Sequence, residues 1–447
     1  MFSVYVPYPS APPWQPAPPP RRSGLGLRIT LVVLLVVALC AGAGDALLLV
    51  TGIGAGHRTA AFVGGDGALT ELLSRRASAI IAHNEAAFLA DVDRSDPKFV
   101  QRQKVEYENL IALGLSSFTL TLSQPDRYQL PSDAPLAVRH DGLVRRVGVT
   151  VRYAVAGLDT VPDAEPWIPT FVGSGGRWLL ADEESVGASQ GLPFGVGGLP
   201  WEARPVTVVR SAHVIAVIST EDAEIAPHLV DLAERGITNV MKIRKTGWSG
   251  KVLLTAVSDQ KVFDAYFEGS PDKLAQIEAV TIPRYDEVPE WNNNVQVVLS
   301  RVVFNPATLG RGDTELQHTL THEFTHAALG LVTSDATPRW LVEGMAEYVA
   351  YATEYVPAEL PGEYARHVSA TALPGDETFY DSADNYTLAW LAVKLIAQKY
   401  GQAKALALYD YFHDHTDIDL GFQQVLGTSF SAFTQAWLAY LDKVRAS

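Results

Sequence analysis

Apolar residues form one nearly continuous run close to the N-terminus, at positions 25–50. A helix of this length can cross the roughly 30 Å hydrocarbon core of a bilayer. Arg21, Arg22 and Arg28 lie at its N-terminal end and only Arg58 follows closely, so the positive-inside rule predicts a cytoplasmic N-terminus. We therefore predict a single-pass protein of the cell membrane whose residues after the span are extracytoplasmic. A cleaved signal peptide is the alternative.

A second region, residues 66–186, begins with helical periodicity and ends with strand patterns. Apolar residues recur at three- and four-residue spacing over 69–89 and 96–114, which predicts two helices. Apolar residues occupy every second position over 147–155, and the glycine-rich segment 173–176 joins two short apolar runs as a hairpin. This order resembles the nuclear transport factor 2-like cone, an α+β fold with a curved antiparallel sheet. The resemblance implies an accessory domain that binds a small ligand or acts as a spacer.

Residues 206–447 form a third region, which the Gly- and Pro-rich stretch 187–205 separates from the second as a predicted linker. Runs of β-branched residues predict strands at 206–209, 214–218, 252–257 and 295–303. Helical spacing follows over 313–331, from Trp340 onwards, and over 384–400, 403–412 and 430–441. The expected fold class is therefore α+β, in several domains.

The pentapeptide His322-Glu323-Phe324-Thr325-His326 lies inside the helix predicted at 313–331. A four-residue step along an α-helix turns by about 40° and rises about 6 Å, so the two histidines project from one face, one turn apart. Two imidazoles in this arrangement can bind one metal ion, and zinc is the usual ion for this spacing. Glu323 lies about 100° further round the helix, where a general base is needed. The pattern predicts that His322 and His326 are zinc ligands and that Glu323 is catalytic.

Two carboxylates on the next predicted helix complete the expected site. Sixteen residues separate His326 from Glu343, and Pro338 lies in the turn between the two helices. Glu343 and Glu347 are one helical turn apart and point the same way, and their neighbours are too apolar for a helix face in water. We predict that Glu343 is the third ligand and that Glu347 accepts the remaining imidazole N–H of a ligand histidine. The spacing also allows these two roles to be exchanged.

The two segments 322–326 and 340–348 resemble the gluzincin zinc metallopeptidases, most closely the bacterial peptidase-MA-like families. In the zinc aminopeptidases of this group, the interval between H-E-x-x-H and the third ligand is two residues longer than in this chain. The resemblance covers about residues 200–447. It implies a thermolysin-like domain in which a small mixed sheet precedes the active-site helices and a helical C-terminal half.

The same resemblance implies two further features of the active site. Gluzincins place a Tyr or His beside the zinc ion to stabilise the oxyanion, and Tyr386 is the candidate here, with a half-buried anchoring role as the alternative. Their sheet has an edge strand that binds extended peptide beside the active-site helix. Residues 302–306 are the candidate for that edge, because Pro306 cannot donate to a strand ladder; an ordinary strand end is the alternative.

Other histidines carry less weight as ligands. His318 lies one turn before His322, but it would be about 12 Å along the helix axis from His326, so we expect it on the helix surface. His413 and His415 occur with several aspartates between two predicted helices. For that polar segment we expect a solvated loop rather than a metal site.

Charge and composition limit the classes of partner. The net charge is −15, and the three arginines before Asp45 contribute +3, so the remaining chain carries −18. Such an acidic surface argues against binding to nucleic acid or to anionic lipid. Cys40 is the only cysteine and lies in the predicted span, so the exported part can hold no disulfide. The Pro-rich residues 1–24 form a predicted cytoplasmic tail, either an unstructured leader or a ligand for a cytoplasmic partner.

These observations predict a membrane-anchored, extracytoplasmic zinc metallopeptidase with one Zn²⁺ per chain and a peptide or protein substrate. Zinc would lower the pKa of a bound water to about 7, and Glu323 would take its proton during attack on a peptide carbonyl. Two alternatives remain open. The first is a non-catalytic, zinc-containing ectodomain that binds or senses a ligand, and the second is a structural helix whose histidines bind no metal.

Overall fold

Two β-sheets and the helices around them form an α+β structure. The computed structural model describes residues 64–128, 133–183, 199–264, 277–289, 291–292, 294–353 and 360–446. The predicted cytoplasmic tail, the predicted span at 25–50 and linker residues 187–198 lie outside the described residues. Among the helices of the described part, none is both long enough and apolar enough to cross a membrane.

The first sheet is antiparallel and follows a group of helices. Its elements are α1 (Asp66–Ile81), α2 (Glu85–Phe88), α3 (Pro97–Leu113), β1 (Leu115–Tyr128), α4 (Asp133–Arg139), β2 (Val144–Val155), β3 (Asp163–Trp167), β4 (Thr170–Ser174) and β5 (Arg177–Asp182). The strand order is β1-β2-β4-β5, and β3 also pairs with β2. The helix expected at 69–89 is interrupted, because His83 has a φ of 52° and Asn84 caps α2. The predicted hairpin is β4–β5, and Gly175 and Gly176 supply the two positive φ angles of its turn.

The second sheet is mixed. Its strands are β6 (Val206–Arg210), β7 (Val214–Ser219), β8 (Val252–Ala256), β9 (Ala279–Tyr285) and β10 (Val297–Phe304). They are ordered β6-β7-β8-β10-β9, with β8 parallel to β7 and β10, and with β6 and β9 antiparallel to their neighbours. The expectation that residues 302–306 form an edge is wrong, because β10 pairs with both β8 and β9. The strand at this end of the sheet is β9, and β6 forms the other edge. Sequence patterns missed β9 because Pro283 interrupts it; an edge position tolerates that proline.

Helix α7 lies at the centre of the second half. The helices of this half are α5 (Ala226–Ile243), α6 (Gln260–Asp264), α7 (Asp313–Leu329), α8 (Arg339–Thr353), α9 (Leu360–Ala365), α10 (Asp384–Tyr400), α11 (Gln402–Tyr411), α12 (Ile418–Gly421) and α13 (Phe430–Arg445). Helix α7 packs against α5, α8 and the strands β9 and β10. All of its residues from His318 to Leu329 are buried, so the histidine face is covered as well as the apolar stripe. Leu331, the last residue of the helix predicted at 313–331, follows the helix end and is exposed.

A buried cluster of charged side chains joins the two sheets. Arg301 on β10 donates to both carboxylate oxygens of Asp159, at 2.8 and 2.7 Å, and lies 3.6 Å from the carboxylate of Asp163. Arg284 on β9 forms an ion pair with Glu165 on β3. These five side chains are each at most 4% exposed. The ion pairs therefore link β9 and β10 directly to the first sheet.

The described end of the predicted linker packs against the first sheet. Asn109 on α3 donates to the carbonyl oxygens of Trp201 and Ala203, both at 3.1 Å, and accepts from Val206 N at 3.1 Å. Trp201 is buried, and its ring meets that of Tyr153 edge-on with 4.7 Å between centroids. Residues 199–205 thus belong to the packed structure, and all described residues fall within one compact unit.

Candidate metal centre

Helices α7 and α8 carry the five residues that the sequence assigned to a metal site: three ligands, Glu323 and the supporting carboxylate of Glu347. The turn between them is closed by a hydrogen bond from Ser334 N to Thr337 Oγ1 at 3.1 Å, and Pro338 immediately precedes α8. On its other side α8 lies very close to α10, because Gly344 faces the backbone of Ala389. The chain reversal after α7 therefore brings Glu343 back over the two histidines.

Three ligand atoms converge on one point. Nε2 of His322 and Nε2 of His326 are 3.0 Å apart, and each lies 3.3 Å from Oε2 of Glu343. All three side chains are at most 1% exposed. A tetrahedral zinc ion with bonds of about 2.0–2.1 Å holds its ligand atoms about 3.3 Å apart. The donor set and its spacing therefore fit one zinc ion with a fourth position for water or substrate.

The charges around this point favour a cation. Burial alone would lower the pKa of His322, but the carboxylates of Glu343 and Glu347 outweigh burial and raise that pKa to about 10. Burial would raise the pKa of Glu343, but His326 and His322 bring it to about 2. Burial is also the main reason why the pKa of His326 is lowered. In the metal-free protein a proton on His322 thus supplies the positive charge that a bound metal ion would otherwise provide.

Glu323 is fully buried beside the two histidines, and a residue of the edge strand holds it. Thr281 Oγ1 on β9 lies 2.6 Å from Glu323 Oε2 and 2.8 Å from the backbone oxygen of Glu323. Oε1 has no hydrogen-bond partner among the residues that the structure describes. Burial raises the pKa of the Glu323 carboxyl to about 8 in the metal-free protein. No sequence pattern marks Thr281, because Pro283 interrupts the strand that carries it.

Glu343 and Glu347 occupy different sides of His322. Oε1 of Glu347 lies 3.2 Å from Nδ1 of His322, whereas Glu343 lies beside its Nε2. Only Glu343 is within reach of both Nε2 atoms, so the geometry distinguishes the two roles that spacing left interchangeable. A carboxylate this close to Nδ1 favours, by its negative charge, the imidazole tautomer that presents Nε2 to a metal.

His318 is buried, so its expected position on the helix surface is wrong. Its Nε2 lies 3.1 Å from Oε2 of Glu347, and its ring packs against Tyr351 with 4.4 Å between centroids. Both partners come from α8, which covers this side of α7. The sequence pattern treated α7 in isolation and therefore left His318 exposed.

Two tyrosines lie at the site, and sequence analysis named one of them. Tyr386, in the first turn of α10, is buried with its ring centroid 6.4 Å from that of His322. Tyr380, in the 3₁₀ helix Asp376–Asp381, donates its hydroxyl to Oε1 of Glu343 at 2.8 Å and keeps 38% of its surface exposed. Removal from solvent, followed by the Glu343 charge, raises the pKa of both phenols well above the usual range. No periodic pattern marks Tyr380, since it lies outside any regular helix or strand.

Few other side chains of the described part are arranged to bind a metal. Three ligand atoms come within 4.8 Å of one another in only two of its groups, His322 with His326 and Glu343, and His318 with His322 and Glu347. His413 and His415 are exposed, and His415 stacks on Tyr411 with 4.3 Å between ring centroids. The segment 413–417 is therefore an exposed connection between α11 and α12.

Comparison with known proteins adds no family assignment. No model of a protein family matches the chain, and a search of the curated proteins found no significant match. The function must therefore be inferred from the chemistry of the site itself.

Proposed function

We propose that this protein is a zinc metallopeptidase. The observation that carries the proposal is the buried convergence of His322 Nε2, His326 Nε2 and Glu343 Oε2, with the carboxylate of Glu323 beside it. Two imidazoles and one carboxylate are a common donor set of hydrolytic zinc sites, which keep one position open for water. A purely structural zinc site would instead have four protein ligands.

The residues of the site divide the work of peptide hydrolysis among them. A zinc ion bound by the three ligands would supply a Lewis acid that lowers the pKa of water to about 7 and polarises the substrate carbonyl. Glu323 takes a proton from the attacking water and passes it to the leaving amine. Thr281 holds Oε2 of Glu323, which leaves Oε1 for proton transfer. Tyr386 donates its phenol to the developing oxyanion, and its raised pKa keeps it protonated at neutral pH.

The proposal extends to the rest of the chain. Residues 206–447 would be a gluzincin domain, since a small mixed sheet precedes two site-bearing helices and a helical C-terminal part. Residues 66–186 would be a nuclear transport factor 2-like accessory domain, since helices precede an antiparallel sheet. The apolar run at 25–50, with its flanking arginines, would anchor the protein in the cell membrane with both domains outside.

One observation favours a second candidate function. The side chains of His322, Glu323, His326 and Glu343 are at most 1% exposed, so the site presents almost no surface to a peptide in this conformation. This favours a zinc-containing ectodomain that binds or senses a ligand without cleaving it. Such a protein would keep the metal but lack turnover.

Zinc analysis and peptide-library cleavage by the full-length protein in detergent test the proposal. We expect one zinc per chain and cleavage by the wild type, and loss of zinc in His326→Ala. Glu323→Gln should keep zinc but lose roughly 10²–10⁴-fold in rate, since it removes the general base. Glu315→Gln, an exposed residue of the same helix, is the matched control and should cleave normally.

Each remaining outcome has a defined meaning. Cleavage that survives unchanged in Glu323→Gln would contradict the mechanism. Stoichiometric zinc without cleavage by the wild type would support the sensing function instead. Absence of zinc from the wild type would refute both functions.

A further inference from the structure

His318 lies at the outer end of a chain of polar contacts that leads to the candidate zinc ligand His322. Nε2 of His318 is 3.1 Å from Oε2 of Glu347, and the other oxygen of Glu347 is 3.2 Å from Nδ1 of His322. Nε2 of His322 in turn belongs to the trio with His326 and Glu343. The contacts therefore run from α7 to α8 and back to α7 before they reach the metal position.

Aromatic packing holds the His318 ring in place. Its centroid is 4.4 Å from that of Tyr351, and the Tyr351 centroid is 4.3 Å from that of Trp390. The three rings come from α7, α8 and α10, so His318 cannot turn without disturbing the packing of three helices. A buried imidazole with a locked ring is a precise hydrogen-bond donor.

We propose that His318 is a positioning residue of the metal centre: it fixes Glu347, and Glu347 fixes His322 with Nε2 directed at the zinc ion. This inference rests on the proposed zinc site. Each oxygen of Glu347 faces one imidazole, so the carboxylate cannot rotate about its terminal bond without losing a partner. The negative charge of Glu347, 3.2 Å from Nδ1 of His322, favours a proton on that nitrogen, which is the neutral tautomer whose Nε2 lone pair can bind metal.

The geometry separates this role from ligation of the same ion. His318 precedes His322 by one helical turn and His326 by two, so along the helix axis it lies about 6 Å from His322 and about 12 Å from His326. Its Nε2 faces Glu347 and not the convergence point of the three ligand atoms. Removal of His318 should therefore weaken zinc binding without abolishing it.

Zinc affinity of the full-length protein in detergent, measured by competition with a chromophoric chelator, tests the proposal. His318→Phe keeps a ring that packs on Tyr351 but removes the hydrogen-bond donor. We expect about tenfold weaker zinc binding, which is the lower end of the loss that follows removal of a residue supporting a metal ligand. His318→Gln restores an N–H donor near the same place and should recover most of the affinity. The visible spectrum of the Co²⁺-substituted protein should change in His318→Phe and return towards wild type in His318→Gln.

Controls separate positioning from a general structural role. His228→Phe removes an exposed histidine that pairs with Asp313 away from the site, and zinc affinity should be unchanged. Thermal unfolding of the metal-free variants measures any loss of packing. Such a loss would not depend on whether the substituted side chain has an N–H donor. If His318→Phe does not fold, the smaller His318→Leu takes its place as the variant without a donor.

Several results would overturn the inference. One is equal zinc affinity and an equal Co²⁺ spectrum in wild type and the donor-free variant. Another is a wild type with two zinc ions per chain of which one is lost with His318, since His318 would then be a ligand. A wild type without zinc refutes the proposed function as well, whereas a failure confined to the His318 variants leaves that function intact.

Discussion

The protonation of individual residues couples metal binding to pH. In the metal-free protein the pKa of His322 is raised to about 10 by the two neighbouring carboxylates, which overcome the effect of burial. The carboxyl of Glu343 has a pKa of about 2 and is ionised at neutral pH. A metal ligand must present an unprotonated nitrogen, so a zinc ion and the proton on Nε2 of His322 exclude each other, while Nδ1 keeps its proton.

Apparent zinc affinity should therefore rise with pH. Between pH 6 and pH 8 the metal-free form keeps the His322 proton and the bound form lacks it, so each zinc ion releases at least one proton. For one proton the affinity increases about tenfold per pH unit. Chelator competition across this range measures the slope, and calorimetry in two buffers of different ionisation enthalpy counts the protons. An affinity independent of pH would contradict the assigned protonation of His322.

Among the elements, α8 is the one whose placement decides the site, because it carries Glu343 and Glu347 between α7 and α10. A Cβ atom on Gly344 would lie 2.5 Å from the carbonyl oxygen of Ala389 and 2.9 Å from a methyl group of Val393. These distances are shorter than non-bonded contacts allow, so the two helices approach this closely only with glycine at that position. Tyr386, at the start of α10, has its ring centroid 6.4 Å from that of His322 on α7.

Gly344→Ala should force α8 and α10 apart. We expect a loss of about 1–3 kcal/mol in the free energy of unfolding, as for overpacking elsewhere, together with weaker zinc binding. Gly67→Ala in α1 is the matched control, since its added Cβ would meet no atom within 4 Å and alanine favours a helix. Denaturant titration measures both variants. Equal stability of Gly344→Ala and wild type would refute the close approach of the two helices.

Across the whole molecule, the buried charge cluster connects the first sheet to the strand that holds Glu323. Thr281 and Arg284 project from opposite faces of β9, one towards α7 and the other towards Glu165 on β3. Strand β9 is thus held on one side by α7 and on the other by the first sheet. A change in how the two sheets contact each other would move the residue that holds Glu323.

Arg301→Met tests how much this cluster stabilises the fold. It leaves the buried carboxylate of Asp159 without its two short hydrogen bonds, and breaking one side of a buried ion pair costs about 3–5 kcal/mol. Arg204→Met removes an exposed ion pair with Glu221 and should cost no more than about 1 kcal/mol. Both values come from denaturant unfolding of the purified protein. Similar losses in the two variants would show that the cluster contributes nothing special to stability.

The local parts of the fold and site could be predicted from residue spacing. Helical periodicity located α7, α8 and α10, and runs of β-branched residues located β6, β7, β8 and β10. Within one helix, spacing also determines direction, so the shared face of His322 and His326 and that of Glu343 and Glu347 follow from the 3.6-residue repeat. These relations need no knowledge of the rest of the chain.

Contacts between distant segments depended on packing that no local pattern records. Thr281 reaches Glu323 across 42 positions from a strand whose proline hid it, and Tyr380 reaches Glu343 from a short 3₁₀ helix. His318 is buried only because α8 folds over it. Residue spacing predicts side-chain directions only within one helix or strand, because a loop can redirect the chain in many ways. Which elements meet after a loop depends on the free energy of burying their side chains against each other. The sequence therefore predicted the pairs of site residues that lie one turn apart on a single helix. The residues that hold them in place, Thr281, Tyr380 and His318, could be identified only from the packing of the helices against each other and against the sheet.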